Sequence, residues 1–107
     1  MKADITELLI FFDELMSHTD EEKGIYWFKT NRADGFEITL VLSIYENHVG
    51  VIVRMLNQSI ASLSLENCSE VRILDQERKC LEVLHEEKNG RCFLSLLEGT
   101  ILTYEEQ

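Results

Sequence analysis

The residues best suited to chemistry are three cysteines, Cys68, Cys80 and Cys92, and three histidines, His18, His48 and His85. A nucleophilic thiol needs a base beside it. Cys80 and His85 are the nearest such pair, but an offset of five in a strand sends them to opposite faces. The expectation is therefore that the cysteines are small core hydrophobes. A zinc site wants two ligands at a spacing such as Cys-x2-Cys, whereas these cysteines fall 12 apart. Only a cross-strand set drawn from Cys68, Cys80, Cys92 and His85 would hold a metal, and none is expected. Carboxylates are too abundant to single out a pair. Glu21-Glu22, Glu86-Glu87 and Glu105-Glu106 read as solvated loops and a tail, since a hydrolytic pair also needs a cleft. The glycines Gly24, Gly35, Gly50, Gly90 and Gly99 are isolated, so no phosphate-cradling loop is present. The sequence thus offers no catalytic residue, metal or cofactor, and does not read as an enzyme.

Charge narrows the partner instead. Across 107 residues, 20 Asp and Glu face 10 Lys and Arg, a formal net charge of −10. That argues against direct contact with nucleic acid, which needs a basic face. It suits solubility, and it also suits recognition of a basic protein surface, because opposite charge speeds association. No apolar stretch approaches the ~20 residues that span a bilayer, so no membrane partner is expected. The first residues, with acids at Asp4 and Glu7, do not read as a signal peptide. An odd number of cysteines fits free thiols in a reducing cytoplasm.

The elements that must carry these residues follow from periodicity. Residues 4–17 are predicted as one amphipathic helix. Asp4 and Glu7 suggest an N-cap, and Ile5, Leu8, Leu9, Phe12, Leu15 and Met16 share one face. His18 would then sit at the helix's C-terminal end. After Gly24 the period becomes two. Ile25, Tyr26, Trp27 and Phe28 open a strand, and Asp34-Gly35 marks a hairpin. Phe36, Ile38, Leu40, Leu42 and Ile44 form one face, with Glu37, Thr39, Val41, Ser43 and Tyr45 opposite. Val49, Val51, Val53 and Met55 continue the inward face beyond a turn at 46–48. Shorter runs at 60–65, 71–74, 81–85, 92–97 and 100–104 follow, and Asn89-Gly90 is a second hairpin signal.

These runs predict one α+β domain over 1–107: an N-terminal helix packed on a twisted antiparallel meander of about six to eight short strands. Its second face would carry Val41, Tyr45, Ile52, Leu74 and Leu84. That face is apolar enough to need curling, a homodimer or a partner to cover it. Acids at hairpins and on the outer face are the candidate partner contacts: Asp34, Glu37, Glu46, Glu70, Glu82, Glu86 and Glu87, with Tyr45 as the aromatic anchor.

The run 36–46 (Phe-Glu-Ile-Thr-Leu-Val-Leu-Ser-Ile-Tyr-Glu), the run 62–74 (Ser-Leu-Ser-Leu-Glu-Asn-Cys-Ser-Glu-Val-Arg-Ile-Leu) and the acidic balance resemble small bacterial immunity proteins. Those accompany polymorphic toxins, including toxins of contact-dependent growth inhibition. The resemblance covers strand pattern, size and charge over roughly 25–97, without an invariant motif. It implies a cytoplasmic inhibitor that binds a cognate toxin domain, often a nuclease, and blocks its active site. No contact residue transfers, because immunity proteins diverge with their toxins. The competing expectations are a self-associating regulatory domain, paired through the second sheet face, and a small ligand-binding barrel with an enclosed apolar cavity.

Overall fold

A computed structural model describes residues 1–85, 90–97 and 99–105. Over the described residues the chain is mostly β, with ten strands in two sheets and one short helix, so the expected helix on a single meander of six to eight strands is not what forms. The strands are β1 (Lys2–Ala3), β2 (Glu14–Leu15), β3 (Ile25–Asn31), β4 (Glu37–Ser43), β5 (His48–Met55), β6 (Gln58–Leu65), β7 (Cys68–Asp75), β8 (Cys80–His85), β9 (Gly90–Ser95) and β10 (Leu102–Glu105). One sheet has the order β2-β3-β4-β5-β6, the other β1-β7-β8-β9-β10. The pairings are antiparallel except for β1 on β7.

The helix is shorter than the expected 4–17. Helix α1 spans Ile5–Phe11, with the Asp4 carboxylate accepting from the Glu7 N–H as its N-cap. It ends there because the next residues are recruited as strand. Phe12 is already extended, at φ −96° and ψ 154°. Glu14 and Leu15 pair with Lys29 and Phe28, and the Met16 N–H donates to the Trp27 carbonyl. The apolar run Ile10, Phe11, Phe12 fits either structure by composition. What decides is that the outer edge of β3 needs hydrogen-bond partners, and residues 14–20 supply them. Leu8 and Phe11 are buried while Leu9 and Ile10 are exposed. His18 lies beyond the helix, its ring 5.3 Å from that of Trp27.

The period-two reading of 36–55 describes the structure closely. Ile38, Leu40, Leu42, Val49, Val51 and Val53 are buried on the inner face. Turn chemistry supports the hairpins: Gly35 has φ +96°, and Leu56 and Asn57 have φ of 52° and 63° in the two-residue turn between β5 and β6. After β6 the chain leaves the first sheet, and β7 pairs with β1 and β8 in the second. The inner faces of both sheets share one core. Phe28, Ile38, Leu40 and Val51 come from the first, and Val71, Leu81, Val83, Cys92 and Leu94 from the second. Two amphipathic sheets bury their apolar faces on each other. The supposed second face is thereby split, with Val41 and Ile52 on the outside of one sheet and Leu74 and Leu84 on that of the other. Asn89 lies outside the described residues.

Helix α1 closes one end of this sandwich. The carbonyls of Glu7 and Ile10 accept from Gln76 Nε2 (3.2 Å) and Lys79 Nζ (3.1 Å) of the β7–β8 turn. The β3–β4 turn and the segment after β9 meet at the same end. At the opposite end, the 3-10 turn Glu21–Lys23, the β4–β5 turn and the β6–β7 turn converge. The Ile44 N–H donates to Gly24 and the Cys68 N–H to Asn47. Among the described residues, no helix is long and apolar enough to cross a membrane.

Candidate functional site

Two of the three thiols are held out of reach. Cys68 and Cys92 are buried, and burial pushes both thiols up to about 11. Thiolate is therefore scarce at neutral pH. Cys80 and His85 occupy opposite ends of β8, across from Ser95 and Gly90. Cys68 stands across from His85, yet among the described residues no group of three His, Cys, Asp or Glu side chains could hold a metal ion. Phe28, Leu40, Val51, Leu81, Val83 and Leu94 are among the side chains buried between the sheets. The described clefts lie at the surface and have mixed linings. One of about 360 Å³ is lined by Phe11, Asp13, Thr30, Arg32, Lys79 and Leu96 among others.

The expected contact residues scatter over the molecule. Asp34 is at the helix end, where its Oδ2 accepts from Arg32 Nη2 at 2.8 Å. That guanidinium is buried and also donates to the carbonyls of Ser95 and Gly99, both at 3.2 Å. Asp34 thus helps fix a turn. Glu37, at the same end, is 3.5 Å from Lys29 Nζ across the β3–β4 pair. Glu70 is half-buried on β7, across from Lys2 on one side and Leu84 on the other. Glu86 and Glu87 lie outside the described residues.

Glu82 departs furthest from expectation. It lies on the outer face of its sheet, as the alternation implies, but is wholly buried. Arg72, directly opposite on β7, donates through Nε (2.8 Å) and Nη2 (2.7 Å) to Oε1. Arg91 on β9 donates through Nε (3.0 Å) and Nη2 (2.5 Å) to Oε2, and its guanidinium also lies over the Phe93 ring. A buried carboxylate survives only when so paired. Glu82 is therefore a bolt across three strands and cannot touch a partner.

Tyr45, expected on the second sheet face, lies with Glu46 beyond the end of β4 instead. They sit in the β4–β5 turn at the end opposite the helix, and both are exposed, Tyr45 at 73%. The Tyr45 ring lies against Gly24, where an added Cβ would come within 3.0 Å of Cδ2 and Cε2. Gly24 closes the turn carrying Glu21 and Glu22, both exposed. An aromatic ring backed by main chain is thus flanked by Glu21, Glu22 and Glu46, with Lys23 the one base in that turn. The sequence hinted at this corner only through a glycine behind a charged run, the pattern of a left-handed cap. Arg72 and Arg91 gave no signal, because their role depends on the registers of β7 and β9 against β8.

No protein family, curated protein or solved structure matches the chain.

Proposed function

We propose that this protein is a protein-binding inhibitor, an immunity protein that neutralises a cognate basic toxin domain by occlusion and charge rather than by turnover. The reading places it in the cytoplasm, where free thiols persist. The observation that supports it best is the Tyr45 corner. An exposed aromatic ring, held in place against Gly24 and flanked by Glu21, Glu22 and Glu46, has the make-up of an interface centre with an anionic rim. The formal charge of −10 extends the same field around the molecule.

The reading requires a binding partner with a cationic surface, sought first in a basic C-terminal domain encoded beside this chain. Titration of that domain should give tight binding at one partner per chain, with an on-rate that falls steeply as salt rises. Tyr45→Ala should weaken binding by about 2 kcal/mol or more, as truncation of a central aromatic does. Glu46→Lys should slow association. Binding that ignores salt and tolerates both changes would overturn the proposal.

A further inference from the structure

The cleft of about 360 Å³ at the helix end is built from separate parts of the chain: the end of α1, the end of β3, the β7–β8 turn and the segment after β9. Its volume lies within the range of small-molecule sites. Phe11 and Leu96, both buried, give it apolar surface. Asp13, Thr30, Arg32 and Lys79 bring charge and hydrogen-bonding groups to the same cleft.

The charged groups there are short of partners. The Arg32 side chain is only 4% exposed. Its Nη1 and Nη2 reach Ser95, Gly99 and Asp34, but its Nε is buried and has no acceptor. A buried donor on a cation is costly to leave unmade, so an acceptor belongs there. Asp13 accepts from Thr30 Oγ1 through Oδ2, which leaves Oδ1 open. Lys79 Nζ donates to the Ile10 carbonyl at 3.1 Å and stands 5.4 Å from the centre of the Phe11 ring, with N–H to spare. Among the described residues, Asp13 forms an ion pair with neither Lys79 nor Arg32. Opposite charges thus line one cleft without closing on each other.

That arrangement selects the ligand. A simple anion would be opposed by Asp13, and a simple cation by Arg32 and Lys79. A compact zwitterion satisfies both signs, and Phe11 and Leu96 favour one with an apolar body. We propose that this cleft binds a free apolar α-amino acid. Its carboxylate accepts from Lys79 Nζ and supplies the acceptor that Arg32 Nε lacks. Its ammonium donates to Asp13 Oδ1, and its side chain lies against Phe11 and Leu96. The cleft is at the end of the sandwich away from Tyr45, so the site does not depend on what the Tyr45 corner binds.

The test titrates the full chain with L-leucine and follows the Arg32 Nε–H signal by heteronuclear NMR, with the amides of residues 30–33 and 96–97 beside it. These signals should move together and saturate, while the amides of 45–47 stay in place. N-acetyl-leucine lacks the ammonium and leucinamide lacks the carboxylate, so each should bind at least about tenfold more weakly. Glycine, without the apolar body, should be weaker by about tenfold as well. Asp13→Asn, which keeps an acceptor for Thr30, and Lys79→Gln should each weaken leucine binding about tenfold. No shift at about 10 mM leucine, the weakest binding expected of a ligand this size in a formed site, would overturn the proposal and leave Arg32 Nε to water. Either blocked leucine binding as tightly as leucine itself would overturn it too. So would wild-type affinity in both Asp13→Asn and Lys79→Gln.

Discussion

Glu82 and Arg91 are joined by two hydrogen bonds to one oxygen, Oε2, while Arg72 takes the other. The carboxylate is wholly buried, but the two arginine side chains stay 46% and 35% exposed. That asymmetry sets the order of mutational costs. Removing both arginines strands a buried charge, which costs about 3–5 kcal/mol. Glu82→Gln leaves two cations that can turn outward to water, and costs about 1–2 kcal/mol. Urea unfolding of R72A/R91A and of Glu82→Gln should therefore differ by at least 1 kcal/mol, roughly. Equal midpoints would mean that water already reaches the carboxylate.

How much of this could be read beforehand differs by element. The strands around Phe36 to Val53 were legible because a period of two and an Asp-Gly turn act locally, within a few residues. The length of α1 was not. Ile10, Phe11 and Phe12 suit a helix face or a strand equally, and the edge of β3, more than ten residues away, decides. The split into two sheets was hidden for a similar reason, since β6 and β7 look like one more hairpin until β1 takes the far side of β7. At the site, alternation put Glu82 on the outer face correctly. Its burial depends on cross-strand neighbours that a single strand's pattern cannot reveal.

Cys68 and Cys92 should be inert in the folded chain. With both thiols pushed up to about 11 by burial, alkylation at pH 8 is expected to label Cys80 first and all three only after unfolding. The same shift makes stability depend on pH. The unfolded chain loses these protons near 9 and the folded chain only near 11. Their stabilising contribution is full below pH 9 and is lost as pH rises towards 11. The variant C68A/C92A should show a shallower loss over that window than wild type. Parallel curves would show that the thiols already contact solvent.

Arg32 and Asp34 are an unequal pair. The arginine side chain is 4% exposed and spans to Ser95 and Gly99, whereas the aspartate side chain is 44% exposed. Arg32→Met keeps the volume but removes the donors to two carbonyls, and should cost about 2–4 kcal/mol in urea unfolding. Asp34→Asn loses a largely solvated charge and should cost under about 1 kcal/mol. Asp34 also lies at the end of the sandwich away from Tyr45, so the same Asn variant should leave binding of the toxin domain unchanged. Loss of binding there would move the interface to the helix end.

Gly24 and Tyr45 should be energetically coupled. Gly24 has φ +67°, a region that costs a residue with a Cβ about 1 kcal/mol. An alanine methyl would also come within 3.0 Å of the Tyr45 ring, so the ring must shift outward. The backbone part of this cost does not depend on Tyr45, but the steric part does. Gly24→Ala should therefore cost about 1–2 kcal/mol in wild type and closer to 1 kcal/mol in a Tyr45→Ala background. Tyr45→Ala alone should change stability by less than about 1 kcal/mol, since most of the ring is in water. The double-mutant cycle thus reads how firmly the backbone holds the ring. A coupling energy near zero would mean that the ring swings freely, and an anchor that swings freely would lose side-chain entropy on docking that a held one does not.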